Sequence, residues 1–176
     1  EQLLTLSRLE AGAAPGGARV DLAAVVRSAV AEVAPAALAS GQVVEVETGA
    51  AVMVAGDEVL LHVLVRNLVD NAARYSPPRA RVEVHVAAED GRIELAVEDS
   101  GPGLPDADLA RLGQRFFRVA GNEAAGSGLG WSIVRRIADL HGAQVAVRRS
   151  AALGGLAVRI SFPAAPPPVS ERRGRP

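Results

Sequence analysis

The segment from Arg66 to Pro77, RNLVDNAARYSP, closes a longer helical pattern that starts at Asp57 and stops at Pro77 and Pro78. With Asn67 at zero on a helical wheel of about 100° per residue, Asn71 falls near +40°, Arg74 near −20° and Tyr75 near +80°. Leu61, Val65, Leu68 and Ala72 lie between about +100° and +160°, so an apolar stripe runs beside the polar set. The stripe calls for a sheet to pack against, and a ligand lying along its edge would touch both kinds of residue. Two carboxamides one turn apart offer neutral oxygens suited to a hard, hydrated cation such as Mg²⁺; the neighbouring Arg suits phosphate oxygens and the Tyr a base. A polar helix face turned to water is the alternative that this segment alone leaves open.

The flanking patterns supply the sheet. Asp21 is a good N-cap for a helix over DLAAVVRSAVAEVAPAAL, with a stripe through Val25, Ala29 and Val33 and a disturbance expected at Pro35. QVVEVET and AVMVAG read as short strands, and Asp57 caps the long helix. RVEVHVA and RIELAVE alternate through Val82, Val84, Val86 and Ile93, Leu95, Val97, with EDG supplying a hairpin turn. Between Asp99 and Gly130 the chain is irregular and glycine-rich, with a short helix after LPDAD and the pair Phe116–Phe117, too long for an idle connection. A helix over LGWSIVRRIADLHG and strands AQVAVRRS and GLAVRISF follow. The tail PAAPPPVSERRGRP has the composition of a disordered end.

Composition narrows the chemistry. The 176 residues are 49% hydrophobic with a formal net charge of −1, enough for one ordinary core. No apolar run is long enough to span a bilayer. The absence of Cys excludes disulfides, thiolate metal sites and cysteine nucleophiles. All 19 cationic residues are Arg, which excludes a Walker A lysine and Schiff-base chemistry. The near-neutral balance argues against nucleic-acid binding.

Two further segments carry chemistry. In EDSGPGLPD, Asp99 leaves a strand while Gly101 and Gly103 permit a tight turn and close approach of a ligand; a buried carboxylate there would select an amino group such as that of adenine, and an ordinary Asp-Ser-Gly turn is the alternative. GSGLG, residues 126 to 130, directly precedes a helix whose free N–H groups and positive dipole end can receive phosphate, and a plain hinge is the alternative. The G-x-G-x-G spacing without an upstream strand is not a dinucleotide-binding fingerprint.

Taken in order, RNLVDNAARYSP, DSGPG, RFFR and GSGLG resemble the N box, first glycine box, F box and second glycine box of the catalytic ATP-binding domain of bacterial sensor histidine kinases. The resemblance covers roughly residues 20 to 163, and LLTLSRLEAG is similar to the end of the second dimerisation helix that precedes such domains. Arg74 and RFFRVAGN are similar to the quorum-sensing-type sensor kinases of proteobacteria. The resemblance implies an α+β, two-layer sandwich of the Bergerat type, a mixed sheet of about five strands against three helices with a flexible ATP lid. It divides the chain into the end of a dimerisation helix (1–12), a linker (13–20), the catalytic domain (21–163) and a disordered tail (164–176).

By the same resemblance Asn71 binds Mg²⁺ with help from Asn67, Arg74 reaches phosphate where the family often has Lys, and Tyr75 stacks on adenine. Asp99 accepts from the adenine amino group in a pocket shaped by Gly101 and Gly103. Phe116 and Phe117 anchor the lid, Arg118 approaches the γ-phosphate, and Gly126, Gly128, Leu129 and Gly130 wrap the phosphates. Related gyrase- and chaperone-type ATPases carry Glu at the position of Asn67; an amide cannot serve as that base, which favours holding ATP for transfer over hydrolysing it. Trp131 departs from the usual small aliphatic residue and is read as packing on its helix in preference to crowding the phosphate loop.

The implied activity is ATP-dependent phosphorylation of a histidine in the chain's own dimerisation domain, then of a response regulator, by a homodimer whose kinase portion is cytoplasmic and whose sensor lies in the inner membrane. His62, His85 and His141 lack the phosphoacceptor's surroundings and are read as structural, with His141 gaining from the helix dipole when protonated. A nucleotide-responsive module without transfer activity and an anti-sigma-type serine kinase share the same pocket and stand as alternatives.

Overall fold

The computed structural model describes residues 18–109, 111–112 and 129–165. A five-stranded mixed sheet runs in the order β2 (Val43–Thr48), β4 (Arg81–Glu89), β5 (Arg92–Asp99), β7 (Leu156–Pro163), β6 (Gln144–Arg149). Only β2 and β4 pair in parallel; the other neighbours are antiparallel. The β4–β5 connection places Asp90 and Gly91 at φ 48° and 76°, the backbone of a two-residue turn that matches strand twist.

Alternation puts Val82, Val84, Val86, Ile93, Leu95, Val97, Val158, Ile160 and Phe162 on one buried face of this sheet. Helices α1 (Leu22–Ala39), α2 (Glu58–Arg74) and α4 (Gly130–Leu140) bring apolar stripes to the same core, and α3 (Asp106–Leu109) is a single turn. The stripes are those read from the sequence: Val25, Ala29 and Val33 on α1, and Leu61, Val65, Leu68 and Ala72 on α2, are all buried. The architecture is thus the expected α+β arrangement, one sheet backed by three helices.

Both expected caps form. The Asp21 carboxylate accepts the Ala23 N–H at 3.0 Å and that of Val52 at 3.3 Å, and the Asp57 carboxylate accepts the Leu60 N–H at 3.0 Å. Two differences from the sequence reading have local causes. Helix α1 runs through Pro35 to Ala39; Ala31, whose carbonyl loses its partner there, is exposed, so water can take the place of the missing N–H. Arg19–Asp21, partly within the segment read as linker, forms strand β1, which pairs antiparallel with β3 (Met53–Ala55) in a two-stranded sheet of its own.

Candidate functional site

Helix α2, the end of β5 and the start of α4 enclose a cleft lined by Leu68, Asn71, Ala72, Tyr75, Val97, Asp99, Pro102, Gly103, Leu104, Leu112, Trp131, Leu156 and Val158. Its walls are mainly apolar, and the polar side chains are few, as in a site for a flat heterocycle. The sequence reading anticipated Asn71, Tyr75, Asp99 and Gly103 in it.

Asp99 is the most constrained group. It is 8% exposed, and its Oδ1 accepts the N–H of Gly101 at 2.9 Å and of Leu156 at 3.2 Å. Burial pushes its carboxyl above the usual carboxylate range, against the opposing pull of these two N–H groups. The buried Ser76 hydroxyl adds a weaker pull in the same sense without a hydrogen bond of good geometry. Glycines make this corner possible. A Cβ at Gly101 would lie 2.8 Å from Asp99 Oδ1, Gly103 sits at φ +67° with its Cβ position 3.3 Å from the Gly155 carbonyl oxygen, and a Cβ at Gly155 would overlap Asp99 itself.

The carboxamides converge on α4. Asn67 donates Nδ2–H to the Val63 carbonyl at 2.7 Å, and a Cβ at Gly130 would lie 3.2 Å from Asn67 Oδ1 and 3.5 Å from both amide atoms of Asn71. Asn71 Nδ2 is buried and has no hydrogen-bond partner, a cost that a polar ligand would remove. Leu129, the N-cap of α4, makes no side-chain cap bond, and the first-turn N–H groups of α4 start at Gly130, beside the two carboxamides. Arg74 stands at the exposed end of α2, paired with Asp70 at 2.6 Å. Tyr75, the C-cap, is 39% exposed. The Gln42 amide fixes this end of α2 by reaching the carbonyls of Ala73, Ser76 and Pro77 at 2.9, 3.1 and 3.2 Å. Phe116, Phe117, Arg118, Gly126 and Gly128 lie outside the described residues.

Gly155 and Leu156 went unread in the sequence, and Trp131 and His141 were read for other roles. Trp131 is half-buried against the core, as expected of packing, but it also lines the cleft. Gly155 and Leu156 reach Asp99 through main-chain N–H groups, and only the Gly154–Gly155 pair marks them in the sequence. His141 is 6% exposed and buried neutral, with burial holding its pKa below the ordinary value, so a charge–dipole gain is not its role.

Comparison with known proteins agrees with this fold. Residues 56–166 match the family of histidine kinase-, DNA gyrase B- and HSP90-like ATPases. The sensor protein QseC of Escherichia coli K12 is 40% identical over 164 residues, which span 92% of this chain and 35% of QseC. A mycobacterial sensor histidine kinase, MprB, has a solved structure with 34% identity and a TM-score of 0.77, covering 85% of this chain and all of that one. Full-length ShkA, solved in complex with AMPPNP, matches 94% of this chain and 35% of its own at 27% identity and a TM-score of 0.78. On fold, site and these likenesses together, the chain belongs to the histidine kinase-, DNA gyrase B- and HSP90-like ATPases, and within them to the catalytic domains of sensor histidine kinases.

Proposed function

We propose that this domain binds Mg·ATP in the cleft and, in a complete protein, donates the γ-phosphoryl to a histidine of its own dimerisation domain, for onward transfer to a response regulator. The observation that carries the adenine half of the reading is Asp99. Its Oδ1 is occupied by two main-chain N–H groups, which leaves Oδ2 as the acceptor for an exocyclic amino group at the end of an apolar slot. Tyr75 and Trp131 offer rings at the slot's sides.

The phosphates would run from there toward the N-terminal end of α4, with Arg74 at the rim and Leu129 and Gly130 on the loop side. Gly126 and Gly128 would complete that loop, and Phe117 and Arg118 the lid. Asn67 Oδ1 and Asn71 fit a magnesium ion held jointly with phosphate oxygens and water. Among the described residues no group of three His, Asp or Glu that could hold a metal ion occurs, and the unpartnered Asn71 Nδ2–H, a donor, suits a phosphate oxygen beside the ion and not the ion itself. The ion supplies charge neutralisation of the phosphates. The chain's own residues orient the nucleotide, and the amide at Asn67 offers no base for activating water. The chain spans 35% of the length of QseC, so the acceptor histidine, homodimerisation, the receiver partner and attachment to an inner membrane all belong to the complete protein in this reading.

Calorimetric titration with non-hydrolysable ATP and GTP analogues, with and without Mg²⁺, tests it. The wild type should prefer adenine, and Asp99→Asn should lose about tenfold or more in ATP-analogue affinity, the worth of one hydrogen bond to a charged group. A supplied dimerisation domain should then acquire an acid-labile phosphate from ATP. Equal binding of the two analogues would sink the adenine assignment, and binding without transfer to a competent acceptor would sink the kinase assignment.

A further inference from the structure

The loop from Ser150 to Gly155, which joins β6 to β7, is held by a compact set of bonds centred on one hydroxyl. Ser150, 3% exposed, donates Oγ–H to Glu98 Oε2 at 2.6 Å and accepts the Leu153 N–H at 2.9 Å on the same oxygen. Its main chain closes the loop from both directions: Ser150 N–H to the Gly155 carbonyl at 2.8 Å, and Gly154 N–H to the Ser150 carbonyl at 3.0 Å. The loop then delivers two N–H groups to Asp99, from Gly155 to its carbonyl at 3.1 Å and from Leu156 to its Oδ1 at 3.2 Å.

Successive residues of a strand face opposite ways, so Glu98 and Asp99 present carboxylates to opposite faces of β5. Ser150 grips the outer one, while the N–H of Leu156, where the loop enters β7, grips the inner one. We infer that Ser150 and Glu98 are positioning residues for nucleotide specificity: their hydrogen bond fixes the β6–β7 loop so that the Leu156 N–H at its exit aims the Asp99 carboxylate at the base. The inference rests on the adenine reading of Asp99. It follows from connectivity: the loop leads from Ser150 through Gly155 into Leu156, the first residue of β7, so the anchor at Ser150, together with the pairing of Leu156 to Arg149, sets where the Leu156 N–H meets the Asp99 carboxylate.

The test uses Ser150→Ala, Glu98→Ala and Glu98→Gln, the last keeping an acceptor for the hydroxyl. Two quantities are read in each: the ratio of ATP- to GTP-analogue affinity, and the titration of the Asp99 carboxyl followed by ¹³C NMR. Ser150→Ala and Glu98→Ala should lower the ratio about tenfold, a loss comparable to one charge-assisted bond, and move the Asp99 midpoint upward as the Leu156 N–H drifts away; Glu98→Gln should stay near wild type. An unchanged ratio and midpoint in Ser150→Ala, with thermal stability alone reduced, would overturn the inference and leave Ser150 a fold residue. Failure of the adenine reading looks different: the wild type shows no preference to lose. The Asp99 midpoint then decides alone, and an unmoved midpoint in Ser150→Ala overturns the inference.

Discussion

His141 Nε2 accepts the main-chain N–H of Asp57 at 3.1 Å, which joins the C-terminal end of α4 to the N-cap of α2. Its Nδ1 meets the Ile137 carbonyl at 2.7 Å, so the neutral ring donates at Nδ1 and accepts at Nε2, a tautomer set by both partners. Gly56 completes the joint, since a Cβ there would run into the imidazole. The two helices fixed in this way carry Asn67, Asn71 and Gly130, and the spacing across the proposed phosphate region depends on them.

A second proton on His141 would oppose the Asp57 N–H, and burial holds the folded pKa below the ordinary 6.5 despite the Ile137 carbonyl and the nearby Asp57 carboxylate. The stability it contributes is therefore complete above 6.5 and is lost as pH falls toward the folded value, because the unfolded chain takes up the proton first. Thermal unfolding of the wild type should weaken between about pH 7.5 and 5.5, whereas His141→Gln should start lower by about 1–3 kcal/mol and lack that part of the slope. Equal slopes in the two proteins would rule the histidine out as the cause.

Gly155 makes a steric prediction. A Cβ would overlap the carboxylate and carbonyl of Asp99 and approach the Gly101 nitrogen, all held by the adjoining strand and turn. Gly155→Ala should cost about 1–3 kcal/mol, as overpacking does, and should remove measurable binding of an ATP analogue. Gly49→Ala, which has open space around it and no positive φ, should change stability by less than about 0.5 kcal/mol. Normal nucleotide affinity in Gly155→Ala would show that the loop does not shape the pocket.

These residues also show what the sequence could and could not reveal. Val82–Val86, Ile93–Val97 and the α2 stripe announce themselves because alternation and 3.6-residue periodicity are local properties, and Asp21 and Asp57 because caps are. Asn71, Tyr75 and Asp99 were legible as side chains in ordered motifs. The grip of Ser150 on Glu98 spans 52 positions and that of His141 on Asp57 spans 84, and neither leaves a local pattern. Strand β1 was missed because three residues hold too little alternation to read, and Pro35 misled because exposure of its turn, not propensity, sets its cost.

Asp99 also sets stability against the proposed nucleotide binding. Its carboxyl is raised by burial, so the folded state favours the protonated form; the stability this lends is complete below the ordinary value of 3.8 and is lost as pH rises through the folded value. At neutral pH the ionised group is therefore a cost to the empty domain. Asn is nearly isosteric, and its Oδ1 can accept the same Gly101 and Leu156 N–H groups without a charge to desolvate. Asp99→Asn should consequently melt above the wild type at pH 7 without nucleotide, and the difference should shrink as pH approaches 3.8. An ATP analogue with Mg²⁺ should reverse the order, stabilising the wild type alone, because an amide N–H at the Oδ2 position repels the amino group the carboxylate would accept. An Asn variant less stable than wild type at neutral pH would mean that Asp99 holds the β5 end together as an ion, and that binding lost in the variant reflects a damaged corner instead of a missing acceptor.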